Sequence, residues 1–246
     1  MELWVTATIT AATFLISLFN AAIGPTGGLQ LALVAGLLPP QISIPTHAVI
    51  TGVSSLARAI QLKEYIDWAL FWRFVPTSVA GTVIASFIFV QINEGILLAI
   101  IGLSILLNNF VPYQRILGRK AAPFMDSAVG LITGLLTVFI GATGPLIFTY
   151  VAAGDRERRC IVATAAACMT QQHLIKVVAF TFISALLFQY AWQLLIFAGA
   201  AILGTRAGAG VLNRMSERTF RIGFKSVTSL IALYLVLSGL YGSGIR

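Results

Sequence analysis

Ten apolar runs constrain the fold of this chain more than any other feature of its sequence. Most are about 20 residues long, the length at which an α-helix crosses the hydrocarbon core of a bilayer. Only 10% of all residues are charged, whereas a soluble domain carries about 25%. The sequence therefore predicts an all-α, polytopic membrane protein whose residues 1–246 form a single membrane domain, with no room for a soluble catalytic domain. The runs cover residues 4–22, 29–38, 42–62, 68–90, 95–111, 126–140, 146–153, 160–187, 192–212 and 220–240.

A glycine-rich break at residues 23–28 separates the first two runs and reads I-G-P-T-G-G. It cannot continue a helix, because glycine is conformationally unrestrained and proline lacks a backbone N–H. A second break at residues 140–145 reads I-G-A-T-G-P and follows the run at 126–140. Gly24 and Gly141 are thus 117 positions apart, and each break stands near the start of one half of the chain.

Two further pairs of motifs keep the same order in both halves. Gly81-Thr82 corresponds to Gly204-Thr205, and Asn93-Glu94 corresponds to Ser216-Glu217, both 123 positions apart. Each half also consists of two segments around a break, followed by three long runs. This agreement predicts an internal duplication, with repeat 1 at about residues 1–120 and repeat 2 at about residues 121–246.

Basic residues predict which loops face the cytoplasm. The chain has a net charge of +8. An excess of Lys and Arg is typical of a membrane protein whose cytoplasmic loops face anionic lipid, and it does not require a nucleic-acid partner. The basic clusters at residues 115–120, 156–159 and 214–225 can all lie inside only if the short segment after each break returns to the side it came from. The two repeats then have opposite orientation, which is the inverted-repeat plan of many secondary transporters, and both termini lie outside.

The segment at residues 29–38 would measure about 15 Å as a helix, which is half of the hydrocarbon thickness. Each repeat is therefore predicted to begin with a glycine-broken helical hairpin. Non-helical backbone at that depth is tolerated only inside protein or beside a water-filled cavity. A substrate site built on the two breaks is one interpretation, and close helix packing at small residues is the other. We favour the first because the breaks occupy corresponding positions.

Lys176 is the strongest candidate for a charged group inside the membrane. It lies sixteen residues beyond Cys160 in an apolar run, where a lysine is costly unless it faces a cavity or a partner. Gln172 and His173 share its helical face. All carboxylates lie in loops or at segment ends, so this polar face favours an anion. The alternative is a lysine that snorkels to the membrane surface.

Three other basic groups allow more than one interpretation. Arg58 is the approximate repeat partner of Lys176, 118 positions earlier, and it either lines the site or snorkels to the cytoplasm. Arg206 lies near a basic loop and is expected to snorkel. His47 is expected to be a packed or interfacial residue, whereas His173 is a candidate for coupling transport to protons.

The sequence carries no signature of an enzyme. H-E-x-x-H, G-x-S-x-G and Walker motifs are missing. The two histidines have no carboxylate partner, so they make a poor metal site, and no metal or cofactor is predicted.

The two breaks resemble the glycine-rich motifs of the TauE/SafE sulfite exporter family, also called the toluene-sulfonate uptake permease family. The resemblance also rests on residues 37–40, which read L-L-P-P, and on the Gly-Thr pairs at 81 and 204. Thr26 and Thr143 stand where the family commonly has glycine. The resemblance implies a bacterial inner-membrane protein that exports or takes up small sulfur-containing oxyanions such as sulfite, sulfonates or sulfoacetate.

We therefore predict a secondary transporter that works by alternating access, with the anion bound between the two breaks. A passive anion channel, or a transporter of another small organic anion, is the alternative. The expected partners are the anion and the lipid bilayer, and a homodimer is left open. Backbone N–H groups at the starts of the short helices would face the anion. The predicted substrate-binding residues are Gly24, Thr26, Gly27, Gly28, Thr51, Ser54, Ser55, Arg58, Gly141, Thr143, Gly144, Gln171, Gln172 and Lys176, with His173 for proton coupling.

Overall fold

The computed structural model describes residues 1–23, 27–110, 123–140, 143–153, 156–183, 186–211 and 217–241. Within these ranges the regular structure is entirely helical and includes ten α-helices of ten residues or more. The all-α prediction is confirmed. Gly24, Thr26 and Gly141 of the predicted site lie outside the described residues.

The helices follow the order of the apolar runs. In the first half they are α1 (Leu3–Ile23), α2 (Gly27–Leu37), α3 (Pro40–Gln61), α4 (Trp68–Gln91) and α5 (Glu94–Phe110), with a 3-10 turn at Lys63–Tyr65. In the second half they are α6 (Pro123–Ile140), α7 (Gly144–Ala153), α8 (Arg158–Ile183), the four-residue α9 (Leu186–Gln189), α10 (Ala191–Val211) and α11 (Glu217–Tyr241).

The outer surface of the helix bundle is apolar. Trp72, Phe87, Phe182 and Leu195 are all more than half exposed, which in water would be a large hydrophobic patch but which suits contact with lipid. By length and hydropathy, two of the described helices qualify as membrane spans, over Leu3–Asn20 and Trp68–Phe89. Shorter apolar stretches include both α2 and α7. The number of membrane crossings stays a prediction.

The two halves of the chain pack against each other more than within themselves. The most extensive helix contacts join α4 to α6, α1 to α10, α5 to α11 and α3 to α8. In addition, α4 contacts α8 and α10 contacts α3. The main hydrophobic core accordingly draws on both halves, with Ile9, Leu31 and Ile44 beside Phe197 and Leu235. The short helices α2 and α7 lie against α3 and α8 respectively.

Glycine allows the closest of these helix crossings. A Cβ at Gly81 of α4 would lie 2.6 Å from the Leu131 carbonyl oxygen of α6. At Gly204 of α10 it would overlap the Phe14 carbonyl oxygen of α1. Because these neighbours are backbone atoms, a side chain at either position could fit only if the helices moved apart.

Two ion pairs and a tyrosine hydrogen bond connect the ends of four helices. Asp126 in the first turn of α6 accepts hydrogen bonds from Arg73 Nε at 2.6 Å and from the Tyr150 hydroxyl at 2.5 Å. Asp67 pairs with Arg156 Nη2 at 3.0 Å. Asp126 stands at a segment end, as the sequence predicts, but it is only 3% exposed. These bonds tie the first turns of α4 and α6 to the end of α7 and the residues before α8.

Replacing Asp67 with asparagine is expected to lower stability at neutral pH but not in acid. Partial burial pushes the pKa of Asp67 up, but the Leu70 N–H and the Arg156 guanidinium lower it by more, so the folded-state pKa lies below its usual value. A depressed folded pKa stabilises the protein above the unfolded pKa of about 4, and this contribution is lost as pH falls through the folded pKa.

The measurement is the melting temperature of both proteins across an acid titration. Asparagine keeps the hydrogen bond to Leu70 N because it also caps helices well, so the comparison isolates the charge. The expected difference in the free energy of unfolding between the two proteins is small, about 1 kcal/mol or less for a partly exposed pair. A difference in melting temperature that stays constant down to the lowest pH would contradict the prediction.

Candidate functional site

Helices α3 and α8 pack against each other at a close crossing. A Cβ at Gly52 of α3 would lie 3.0 Å from Cβ of His173 of α8. The rings of His47 and His173 meet edge to face, with centroids 5.6 Å apart. Both histidines are buried. The predicted site residues of both helices, 51–58 on α3 and 171–176 on α8, therefore lie along this crossing and on either side of it.

His47 connects this crossing to the helix that follows the first break. Its Nε2 lies 3.1 Å from the Gly27 carbonyl oxygen and 3.1 Å from Thr51 Oγ1. A carbonyl oxygen only accepts, so Nε2 carries the proton and donates to Gly27. His47 is thus packed rather than interfacial, and it is not among the site residues predicted from the sequence. Its i, i+4 spacing from Thr51, a predicted site residue, places both side chains on one face of α3 and could have identified it from the sequence.

Gln172 forms the corresponding connection at the second break. Its Oε1 accepts from Thr143 Oγ1 at 3.0 Å, and its Nε2 donates to Ser78 Oγ at 3.0 Å and Thr133 Oγ1 at 2.9 Å. These bonds tie α8 to α4, to α6 and to the residue before α7. Ser78 and Thr133 were not predicted, because nothing in their local sequence distinguishes them from other hydroxyl groups on apolar helices.

Lys176 is completely buried, so it does not snorkel to the surface. Its Nζ donates to the Thr137 carbonyl oxygen at 3.0 Å. Thr137 belongs to the last four residues of α6, whose carbonyls have no partner within the helix and form its partially negative end. The ammonium therefore stands at the end of the helix that leads into the second break. Within the described ranges no carboxylate forms an ion pair with it.

Several buried polar atoms at this crossing have no hydrogen-bond partner among the described residues. They are Ser55 Oγ, Arg58 Nε and Nη2, both amide atoms of Gln171, and Nδ1 of His47 and His173. Buried groups of this kind are rare in folded proteins and call for a specific explanation. Arg58 as a whole is half-buried, yet the burial of these nitrogens shows that its guanidinium does not simply extend to the surface.

The remaining predicted residues surround the crossing. Ser54 Oγ lies 2.9 Å from Thr205 Oγ1, which links α3 to α10. Gly27 begins α2 and Gly144 begins α7, and both are buried. Each break is thus followed by a buried helix start, where backbone N–H groups without helical partners favour an anion. In the described part of the chain no cluster of three or more His, Cys, Asp and Glu side chains could hold a metal ion.

Replacing Gln172 with leucine is expected to destabilise the protein. The change leaves buried hydroxyl groups of Ser78 and Thr143 without their partner, at a cost of about 1–3 kcal/mol for each unpaired group. The melting temperature of the purified protein measures the effect. The matched control is Gln171→Leu, since Gln171 is the adjacent amide and its side chain has no described partner. Equal melting temperatures for the two variants would contradict the prediction.

Comparison with known protein families identifies the family of this chain. A family model described as "Sulfite exporter TauE/SafE" matches residues 9–235. This range reaches from α1 into α11 and therefore includes both breaks and the crossing of α3 and α8. No curated protein and no solved structure matches the chain.

Proposed function

Because the chain belongs to the TauE/SafE sulfite exporter family, we propose that it is a secondary transporter of small sulfur-containing oxyanions such as sulfite, sulfonates or sulfoacetate. The family match confirms the resemblance that the motifs predict. In this proposal the protein is a permease or exporter of the bacterial inner membrane, it is not an enzyme, and both termini lie outside. The observation that carries the proposal beyond family membership is the completely buried Lys176 side chain, whose Nζ bonds to the end of the helix that leads into the second break.

A buried ammonium favours an anion as substrate. Removing one charge from water costs several kcal/mol. The partial negative charge at the carboxyl terminus of α6, about half an elementary charge, compensates only part of this cost. An anion next to Lys176 would supply the remainder. The buried starts of α2 at Gly27 and α7 at Gly144 add partial positive charge from two further directions. A cation would meet repulsion from all three.

The helix packing supports two repeats related by a twofold axis. In this arrangement α1–α5 of the first repeat correspond in order to α6, α7, α8, α10 and α11 of the second. The contact between α4 and α6 then has its counterpart in the contact between α10 and α1. The contact between α4 and α8 has its counterpart in the contact between α10 and α3. The pairs α3–α8 and α5–α11 join each helix to its own counterpart. The glycine contacts agree, because Gly81 and Gly204 are 123 positions apart and their neighbours Leu131 and Phe14 are 117 apart. The same two separations relate the sequence motifs.

The orientation of the counterpart helices supports an inverted arrangement. Along α5 and α11, Gly95 contacts Gly239 and Gly102 contacts Ala232, so the two helices are antiparallel. Along α3 and α8, Gly52 contacts His173, while Ala59 packs in a cluster with Ala163 and its neighbours. Antiparallel counterparts fit a twofold axis in the membrane plane. Alternating access would then come from one repeat rocking against the other.

Reconstitution into proteoliposomes tests the proposed function. We expect saturable uptake of sulfite or a sulfonate, counterflow when the vesicles are preloaded with unlabelled anion, and competition among sulfur oxyanions that exceeds competition by sulfate or carboxylates. Large currents in bilayer recordings, without counterflow, would favour the passive channel. Stronger uptake of a carboxylate would favour a transporter of another organic anion. Folded protein that moves none of these anions would contradict the proposal.

A further inference from the structure

Three polar side chains on α3 and α8 have unused hydrogen-bonding capacity. Ser55 is 1% exposed, and its hydroxyl has no partner among the described residues. Arg58 Nε and Nη2 are buried without an acceptor in the same ranges, and both amide atoms of Gln171 are equally unpaired. The neighbouring Gln172 is fully bonded, so the unpaired groups do not reflect a general shortage of partners on α8.

The three side chains lie at one level along the α3–α8 pair. Ser55 and Arg58 are at i and i+3, and so share a face of α3. Both lie between Gly52, which contacts His173, and Ala59, which packs with Ala163, Ala166 and Ala167. On the antiparallel helix α8, Gln171 lies along the axis between these contact points, one turn beyond Ala167 at i+4.

This stretch is separate from the position of Lys176. Arg58 lies six residues beyond Gly52 on α3, and Lys176 lies three residues beyond His173 on the antiparallel α8, so the two basic residues are on opposite sides of the crossing. Their separation along the helix axes is about 13 Å. They are also approximate counterparts in the two repeats. Lys176 is bonded to a helix end, whereas the buried nitrogens of Arg58 have no described acceptor.

The chemistry of the three groups fits an oxyanion. A guanidinium offers parallel N–H donors that match two oxygens of a sulfite, sulfonate or carboxylate group, and the Gln171 amide and the Ser55 hydroxyl add two further donors. A guanidinium removed from water needs an acceptor. We propose that Ser55, Arg58 and Gln171 form a second oxyanion-binding station, on the opposite side of the α3–α8 crossing from Lys176. This inference rests on the proposed transport function, and in it the anion passes between two cationic groups, one in each repeat.

Gln171→Leu separates a binding role from a packing defect. The substitution removes an unpaired buried amide, so the melting temperature without anion is expected to be unchanged or higher. If the amide holds the anion, KM for sulfite rises about tenfold and the thermal shift induced by sulfite becomes smaller. A variant with normal KM and an unchanged thermal shift would overturn the inference. Ser55→Ala is expected to act in the same direction.

Arg58 provides the second test. Arg58→Gln is expected to raise KM about ten- to a hundredfold, since hydrogen bonds to a charged group are lost. Arg58→Lys restores the charge but not the paired donors, so it should recover only part of the affinity.

Arg206→Gln is the control, because Arg206 is exposed on α10. Wild-type KM in Arg58→Gln would overturn the second station, and if that variant does not fold, the Gln171→Leu result decides. Failure of the wild type to transport any sulfur oxyanion would instead overturn the proposed function.

Discussion

Lys176→Met is expected to abolish transport of sulfur oxyanions while the protein stays folded. Methionine has a similar length and no charge, so it fits a completely buried position. It removes the ammonium that attracts the anion. Losing one partner of a buried charge pair costs about 2–5 kcal/mol, so initial uptake rates should fall by about thirtyfold or more. The measurement is initial uptake into proteoliposomes that contain equal amounts of each protein.

Two controls accompany this experiment. Arg206→Met also removes a basic residue from a predicted membrane helix, but Arg206 is exposed, so its uptake rate should stay close to that of the wild type. The melting temperature of Lys176→Met should not fall much, because the loss of the bond to Thr137 is offset by removal of a desolvated charge. Undiminished uptake by a folded Lys176→Met protein would show that Lys176 does not belong to the substrate site.

Gly204→Ala is expected to destabilise the protein strongly, although alanine is the better helix former. Helix propensity alone would favour the substitution by about 1 kcal/mol. The added Cβ would overlap the Phe14 carbonyl oxygen and lie 3.0 Å from Ser17 Cβ. The backbone of α1 cannot yield locally, so α1 and α10 must separate, at a cost of about 1–3 kcal/mol or more. Loss of monodisperse protein in detergent and a lower melting temperature are the measurements.

Gly199→Ala is the matched control for this substitution. Gly199 lies in the same helix, and a Cβ there would have no atom within 4 Å. Propensity then acts alone, and the variant should be as stable as the wild type or more stable. Gly81→Ala should behave like Gly204→Ala, because its Cβ would meet the backbone of α6 at 2.6 Å. Equal stability of Gly204→Ala and Gly199→Ala would disprove the close crossing of α1 and α10.

The starts of the short helices were predictable, because glycine and proline act locally. The prediction placed apolar segments at 29–38 and 146–153, and the helices are Gly27–Leu37 and Gly144–Ala153. The burial of Lys176 also followed from its position within a long apolar run. The hydrogen-bond partner of Lys176 was not predictable, since the Thr137 carbonyl lies 39 residues away on another helix. The burial of Asp126 was likewise hidden, because its partners Arg73 and Tyr150 come from two other helices.

Gln171 and Gln172 differ in a way that their local sequence does not predict. Both are amides in the same polar segment, and local sequence treats them alike. The fold gives Gln172 three hydroxyl partners from α4, α6 and the residue before α7, and it leaves Gln171 with none in the described ranges. Membrane class, helical content and the two breaks follow from composition and backbone chemistry, which each segment carries by itself, whereas the family resemblance rests on short motifs. The pairing of polar groups depends on which helix lies opposite, and helices that are distant in sequence establish that relation only when they pack.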